Sequence, residues 1–124
     1  INQVKFINHC EDMALAYKVS DIVVSASIEP ESFGRVAVEA QSMEKPIIAS
    51  NIGSSNETLI DEKTGFLFES NNAKSLSQKI LKILSMDEAS LNSVGREGRK
   101  NIIQKFNVEK MCFSTYSEYK RILN

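Results

Sequence analysis

Glu29-Pro30-Glu31-Ser32-Phe33-Gly34-Arg35-Val36-Ala37-Val38-Glu39 is the stretch that decides the reading of this chain. The apolar run Ile22-Val23-Val24 just before it has the character of a buried strand. A helix-like run follows from about Phe33 to Met43. Strand, irregular turn and helix N-terminus, in that order, is where open α/β sheets bind ligands, outside the carboxyl ends of the strands. Helix N-termini present unpaired N–H groups and the positive end of the macrodipole, which suits phosphate. Glycine at position 34 lets the backbone approach such a ligand closely. Glu31 and Glu39 lie eight positions apart. In a continuous helix, ~1.5 Å per residue would separate them by about 12 Å. That exceeds the roughly 5–9.5 Å of a glycosidase carboxylate pair. It suits the two ends of an extended ligand, such as a sugar, a diphosphate and a ribose in a row. In this reading Glu31 meets hydroxyls at one end and Glu39 meets hydroxyls at the other. Phosphates lie over the helix N-terminus near Phe33 and Gly34. With 12 glutamates in 124 residues, the spacing by itself carries no weight.

Working outward, 124 residues make one domain, and 42% hydrophobic with 25% charged residues is ordinary for a globular one. A net charge of −1 argues against a general nucleic-acid or membrane-surface binder. Cys10 and Cys112 show no metal-ligand or disulfide spacing and are expected to be two buried thiols in a reducing compartment. No apolar run is long enough to span a bilayer, and no signal peptide is expected from these residues. No G-x-G-x-x-G follows a first strand, which argues against a dinucleotide oxidoreductase. No Asp-x-Asp motif is present.

In chain order, Val4 to Ile7 predicts a short buried strand, with Asn8, His9 and Cys10 in the loop after it. The single histidine, His9, is most simply a loop residue. Glu11 to Val19 predicts a helix with Met13, Ala14, Ala16 and Tyr17 toward the sheet. Asp21 to Ser25 predicts a parallel strand covered on both faces, followed by Ser25 and Ser27 on the ligand edge. Val36, Ala40 and Met43 are to face the sheet from the central helix, and Arg35 is to be a solvated residue of its first turn. Pro46 to Ser50 is the next strand, since proline is tolerated at a strand's first residue. Asn51 to Asn56 is a polar loop, with Glu57 opening a short helix to Ile60. Phe66 to Phe68 is a further strand. Helices are expected from about Ala73 to Ser85, Asp87 to Lys105 and Val108 to Ile122. The stripe Cys112, Tyr116, Tyr119 and Leu123 on the last is expected to be core.

Pro-Glu-x-Phe-Gly specifies four residue types, so a chance match is about one in 10⁵ per start point. The segment resembles the donor-binding motif of retaining glycosyltransferases of GT-B architecture, family 4 (group 1) type. Ser20-Asp21-Ile22-Val23-Val24-Ser25-Ala26-Ser27 resembles that family's strand and serine-ended loop. Glu39 through Ser50 resembles its glutamate helix and next strand. Gly53 and Glu57 resemble its Gly-Gly-x-x-Glu turn, with Ser54 where a second glycine is usual. Thr64-Gly65-Phe66-Leu67-Phe68 resembles its following strand.

The resemblance implies an α/β fold: a Rossmann-like partial parallel sheet flanked by helices, the C-terminal part of a GT-B enzyme. Residues 1–124 would form one partial nucleotide-sugar-binding domain, without the N-terminal acceptor domain or the Gly-Arg…Lys pair that contacts the diphosphate. Ile1 in place of methionine agrees with a fragment. The implied function is donor binding for transfer of a sugar from a nucleotide-diphosphate sugar to an acceptor hydroxyl. Glu31 would be the catalytic, sugar-orienting residue; Glu31, Ser32, Phe33, Gly34 and Glu39 would bind donor, with Glu39 on the ribose. No cofactor and no metal are required, because backbone N–H groups, the helix dipole and basic residues stabilise the leaving diphosphate. The partners implied are the donor, the missing domain and a glycan or lipid-linked acceptor of the cell envelope. The place implied is the cytoplasm or the inner membrane face. The chain alone is expected to be inactive. The competing reading is a non-catalytic nucleotide-binding or interaction fragment that needs a separate N-terminal half, or an inactive remnant. The second glycine's replacement by Ser54 would make a positive φ less comfortable there.

Overall fold

The computed structural model describes residues 3–123. Their elements run α1 (Met13–Val19), β1 (Val23–Ser25), α2 (Arg35–Ser42), β2 (Ile47–Ser50), α3 (Ser55–Thr58), β3 (Phe66–Phe68), α4 (Ala73–Leu84), α5 (Glu88–Lys105) and α6 (Val108–Leu123). The three strands form one parallel sheet in the order β1-β2-β3, with Val23 opposite Ile47 and Ile48 opposite Phe66. Every residue of the central strand β2 is buried, which is why Ile47-Ile48-Ala49 reads as an unbroken apolar run. Alternation sends Ile47 and Ala49 to one face, against Tyr17, Ala37, Ala40 and Leu59. Ile48 goes to the other, against Phe66, Phe68, Ile83 and Val94. Full burial of a side chain such as Ile47, Ile48 or Phe66 stabilises by about 1.5–3 kcal/mol.

Helix ends follow local chemistry. Asp12, Asn72 and Asp87 each accept a hydrogen bond at the start of α1, α4 and α5, from the N–H groups of Leu15, Ser75 and Ser90. Helix α2 ends in a Schellman turn: Lys45 N–H donates to the Ala40 carbonyl at 2.9 Å and Glu44 N–H to that of Gln41 at 3.0 Å. Glu44 takes the left-handed position at φ 58°. The N–H and hydroxyl of Ser90 hold the Asp87 carboxyl below the usual carboxylate range. A depressed carboxyl pKa contributes stability above its unfolded value, lost as pH falls through the folded value. Asp87→Ala is therefore expected to lower the thermal midpoint at pH 7, with the difference from wild type shrinking below about pH 4. Thermal scans at pH 7 and pH 3 check this; an equal difference at both would contradict it.

Several expectations are corrected. Residues 4–7 form no strand: Val4, Phe6 and Ile7 are 58%, 95% and 79% exposed, for nothing in the described chain packs on them. Strand β1 is consequently an edge strand with Val24 exposed, rather than one covered on both faces. In α1 only Tyr17 is buried, while Met13 and Ala14 are exposed. The aromatic stripe of α6 is not core, since no described residue of that helix is buried. The cysteines are not buried thiols: Cys10 is half-buried and Cys112 exposed. The short helix begins at Ser55 rather than Glu57. The boundaries of α4, α5 and α6 fall within one residue of expectation.

Candidate functional site

The carboxyl ends of β1 and β2 carry Ser25 and Ser50, and the chain leaves both as loops. Ser25, Ser27, Glu31, Gly34, Ala37, Ser50, Ile52 and Ser55 surround a small polar hollow there. Ser27 donates its hydroxyl to Glu31 Oε1. Gly34 is the residue before α2, at φ 70° and ψ 61°. A non-glycine residue in this left-handed position would cost roughly 1–2 kcal/mol. No side chain caps α2; Ala37 and Val38 N–H donate to the Gly34 carbonyl, and the Arg35 and Val36 amides with the positive end of the dipole could receive a ligand.

The loop after β2 is locked to this motif. Ser54 N–H donates to the Glu31 carbonyl at 3.3 Å. Gly53 lies so close to Pro30 and Glu31 that a Cβ there would come within 2.9 Å of the Glu31 backbone. The positive φ of this turn, 60°, falls on Gly53; Ser54 is right-handed at φ −71°. The expected discomfort of serine at this position does not arise, and the loop is tight. Its far end is held as well. The Thr58 carbonyl accepts 3.1 Å hydrogen bonds from Gln41 of α2 and Asn101 of α5.

Glu39 occupies a different place. Its Oε2 accepts from the Tyr17 hydroxyl at 2.9 Å. Its Oε1 accepts from Arg35 Nε at 3.1 Å and Nη2 at 2.9 Å. Arg35 is therefore ion-paired along the helix rather than simply solvated, although its side chain remains 84% exposed. Burial, then the hydrogen bond to Glu39, pushes the Tyr17 phenol up to about 12. Glu39, with Met13, Ala14, Tyr17, Ser42 and Met43, lines a surface hollow of about 200 Å³ between α1 and α2.

The structure thus brings Glu31 and Gly34 together at one hollow and puts Glu39 at another, partway along α2. Ser32 is exposed. Phe33 turns from the polar hollow: its ring meets that of Phe106 edge-on at 5.5 Å. Phe33, Phe106, Val108 and Met111 line a larger groove of about 560 Å³. That groove is apolar and lacks carboxylates, so it does not match a ligand rich in hydroxyls. Among the described residues no group of three or more His, Cys, Asp or Glu side chains could hold a metal ion. No described helix is long and apolar enough to cross a membrane.

Tyr17, Gln41 and Asn101 escaped the sequence reading as parts of the site's frame. A tyrosine on an apolar helix face and two amides inside helices carry no local signal of their partners. The glycine pair Gly95 and Gly98 in α5 was the available hint that another element comes close.

The family model described as Glycosyl transferases group 1 matches residues 1–106. The chain belongs to this family. A capsular polysaccharide biosynthesis glycosyltransferase, CapM, of Staphylococcus aureus is 31% identical to this group 1 chain over 97% of it and 31% of that protein. A glycosyltransferase from Rickettsia africae is 38% identical, with a TM-score of 0.89 over 99% of this chain and 33% of its own. Anabaena HepE, whose structure was determined with UDP-glucose, is 26% identical, with a TM-score of 0.89 over 97% of this chain and 33% of its own. The small parallel sheet with flanking helices matches GT-B glycosyltransferase structures. The group 1 chain spans about a third of the length of the curated relatives it matches.

Proposed function

We propose that this chain is the donor-binding part of a retaining GT-B glycosyltransferase of family 4. It holds a nucleotide-diphosphate sugar, UDP-linked, while the sugar passes to an acceptor hydroxyl. The observation that carries the reading is the uncapped, glycine-preceded N-terminus of α2 at the carboxyl edge of the sheet, with Glu31 before it and Glu39 along it. The diphosphate lies over the first-turn amides, where the dipole and N–H groups accept the negative charge of the leaving group without a required metal. Glu31 orients the sugar through its hydroxyls, and Ser32, Phe33 and Gly34 supply backbone to the donor. Glu39 binds the ribose. The UDP-glucose complex of Anabaena HepE supports the choice of donor.

The acceptor-side domain is the partner this reading requires, because the chain covers about a third of its relatives. The 124 residues form one partial domain and are inactive alone. The capsular relative supports a cell-envelope glycan or lipid-linked acceptor, made in the cytoplasm or at the inner membrane face.

Calorimetric titration of UDP, GDP and their hexose conjugates tests the reading. The wild-type chain is expected to bind UDP, and Glu39→Ala to weaken it about 10- to 100-fold, as loss of charged hydrogen bonds predicts. Equal affinity in the variant would remove the ribose role. No binding at millimolar UDP by a folded wild-type chain would overturn the assignment of donor binding to these residues.

A further inference from the structure

We propose that Tyr17 is a positioning residue for nucleotide recognition: the hydroxyl of this buried residue fixes the Glu39 carboxylate in the orientation that receives the ribose. The inference rests on the ribose role of Glu39 stated above and adds a residue outside the motif.

The two partners of Glu39 differ in kind. Arg35 approaches Oε1 from solvent, with its side chain 84% exposed. A pair of that sort contributes little and is screened by salt. Left as the only partner, Arg35 would draw the carboxylate along the outer surface of α2, as i,i+4 pairs do. Tyr17 is 4% exposed and packed among Ala37, Ala40 and Ile47. Its ring cannot follow a wandering carboxylate, so its 2.9 Å bond to Oε2 sets where that carboxylate points. The phenol donates a hydrogen bond to Oε2, and among the described residues only the exposed arginine contests the lone pairs of Oε1. A ribose hydroxyl entering the hollow beside Met13, Ala14 and Ser42 would replace Arg35 and leave the tyrosine bond intact. The high phenol pKa means that this donor keeps its proton throughout the physiological range.

The fold supports the division of labour. Tyr17 comes from α1, the only described residue of that helix to be buried, and Glu39 from α2. Lys45 Nζ ties the far end of α1 through a 2.9 Å bond to the Lys18 carbonyl. Helix α1 is thereby held against the end of α2, and the hydroxyl of Tyr17 is presented at a set height along it.

The test compares UDP with 2′,3′-dideoxy-UDP on the 124-residue chain by NMR titration, for wild type, Tyr17→Phe and Glu39→Gln. Wild type is expected to favour UDP about tenfold, and Glu39→Gln to abolish the preference. Tyr17→Phe keeps the packed ring and is expected to cut the preference about three- to fivefold, with dideoxy-UDP affinity unchanged. The unchanged dideoxy affinity separates positioning from loss of fold. A full preference in Tyr17→Phe, with none in Glu39→Gln, overturns the tyrosine's role and leaves Glu39 on the ribose. A preference retained by Glu39→Gln, or absent from wild type, overturns the ribose role and this inference with it. A fall in dideoxy affinity as large as that in UDP affinity shows the tyrosine to be purely structural and also overturns the proposal.

Discussion

Gly95→Ala is expected to lower the thermal midpoint by about 5–10 °C, a large effect for a single methyl. Gly95 lies on the face of α5 that packs on α2 and is buried. A Cβ there would overlap the Glu44 carbonyl oxygen and come within 2.9 Å of its carbon. That carbonyl cannot move aside cheaply. Glu44 closes the Schellman turn of α2 at φ 58°, and the next residues enter the fully buried strand β2. Alanine would add about 1 kcal/mol of intrinsic helix propensity, against roughly 3 kcal/mol or more for forcing α5 away from α2. The loss would extend to the site, because Asn101 of α5 anchors the loop that braces Glu31. Circular dichroism melting decides the matter. A midpoint equal to or above that of wild type would mean that the two helices are not in the contact described.

Glu31→Gln is expected to erase the affinity that UDP-glucose has beyond UDP, while UDP itself binds within about twofold of wild type. With the acceptor-side domain supplied, transfer is expected to fall about 10²- to 10³-fold, the scale of removing one preorganised electrostatic contact. Glutamine keeps the size of the side chain and an oxygen able to accept from Ser27, so the loop has no steric reason to change. What is lost is the charge and the second acceptor oxygen facing the hollow beside Gly34. In the proposed reading the nucleotide end is held elsewhere, by α2 amides and Glu39, which is why the two ligands should respond differently. The check is calorimetry of both ligands with a single-turnover assay. Undiminished preference for UDP-glucose in the variant would remove the sugar-orienting role from Glu31.

Much of this arrangement was legible because it depends on local chemistry. The apolar runs at 22–24, 47–49 and 66–68 gave strands at the expected places, and periodicity placed α4, α5 and α6 within a residue of their ends. Gly34 stood out as part of Pro-Glu-x-Phe-Gly, and its left-handed backbone gives the physical reason for glycine there. The surface failures share one cause. Val4 to Ile7 and the stripe of α6 have the apolar pattern of core. A pattern records that a face is suited to burial, but does not say which atoms cover it. The reading of Arg35 failed for another reason: an i,i+4 pair with Glu39 was available, but whether it forms depends on what else holds the carboxylate.

By itself, then, the sequence determined the α/β class, the strand–turn–helix unit and the identity of the motif, for these rest on residue type and short spacing. Only the tertiary structure decided that Gly53, not Ser54, bears the positive φ. It alone showed that Gln41 and Asn101 converge on one carbonyl and that Tyr17 meets Glu39 across 22 positions of chain. Those are contacts between elements, created when helices are pressed onto a sheet and buried polar groups such as the Gln41 and Asn101 amide nitrogens find partners there. Their geometry is a property of the packed whole, which no single segment encodes.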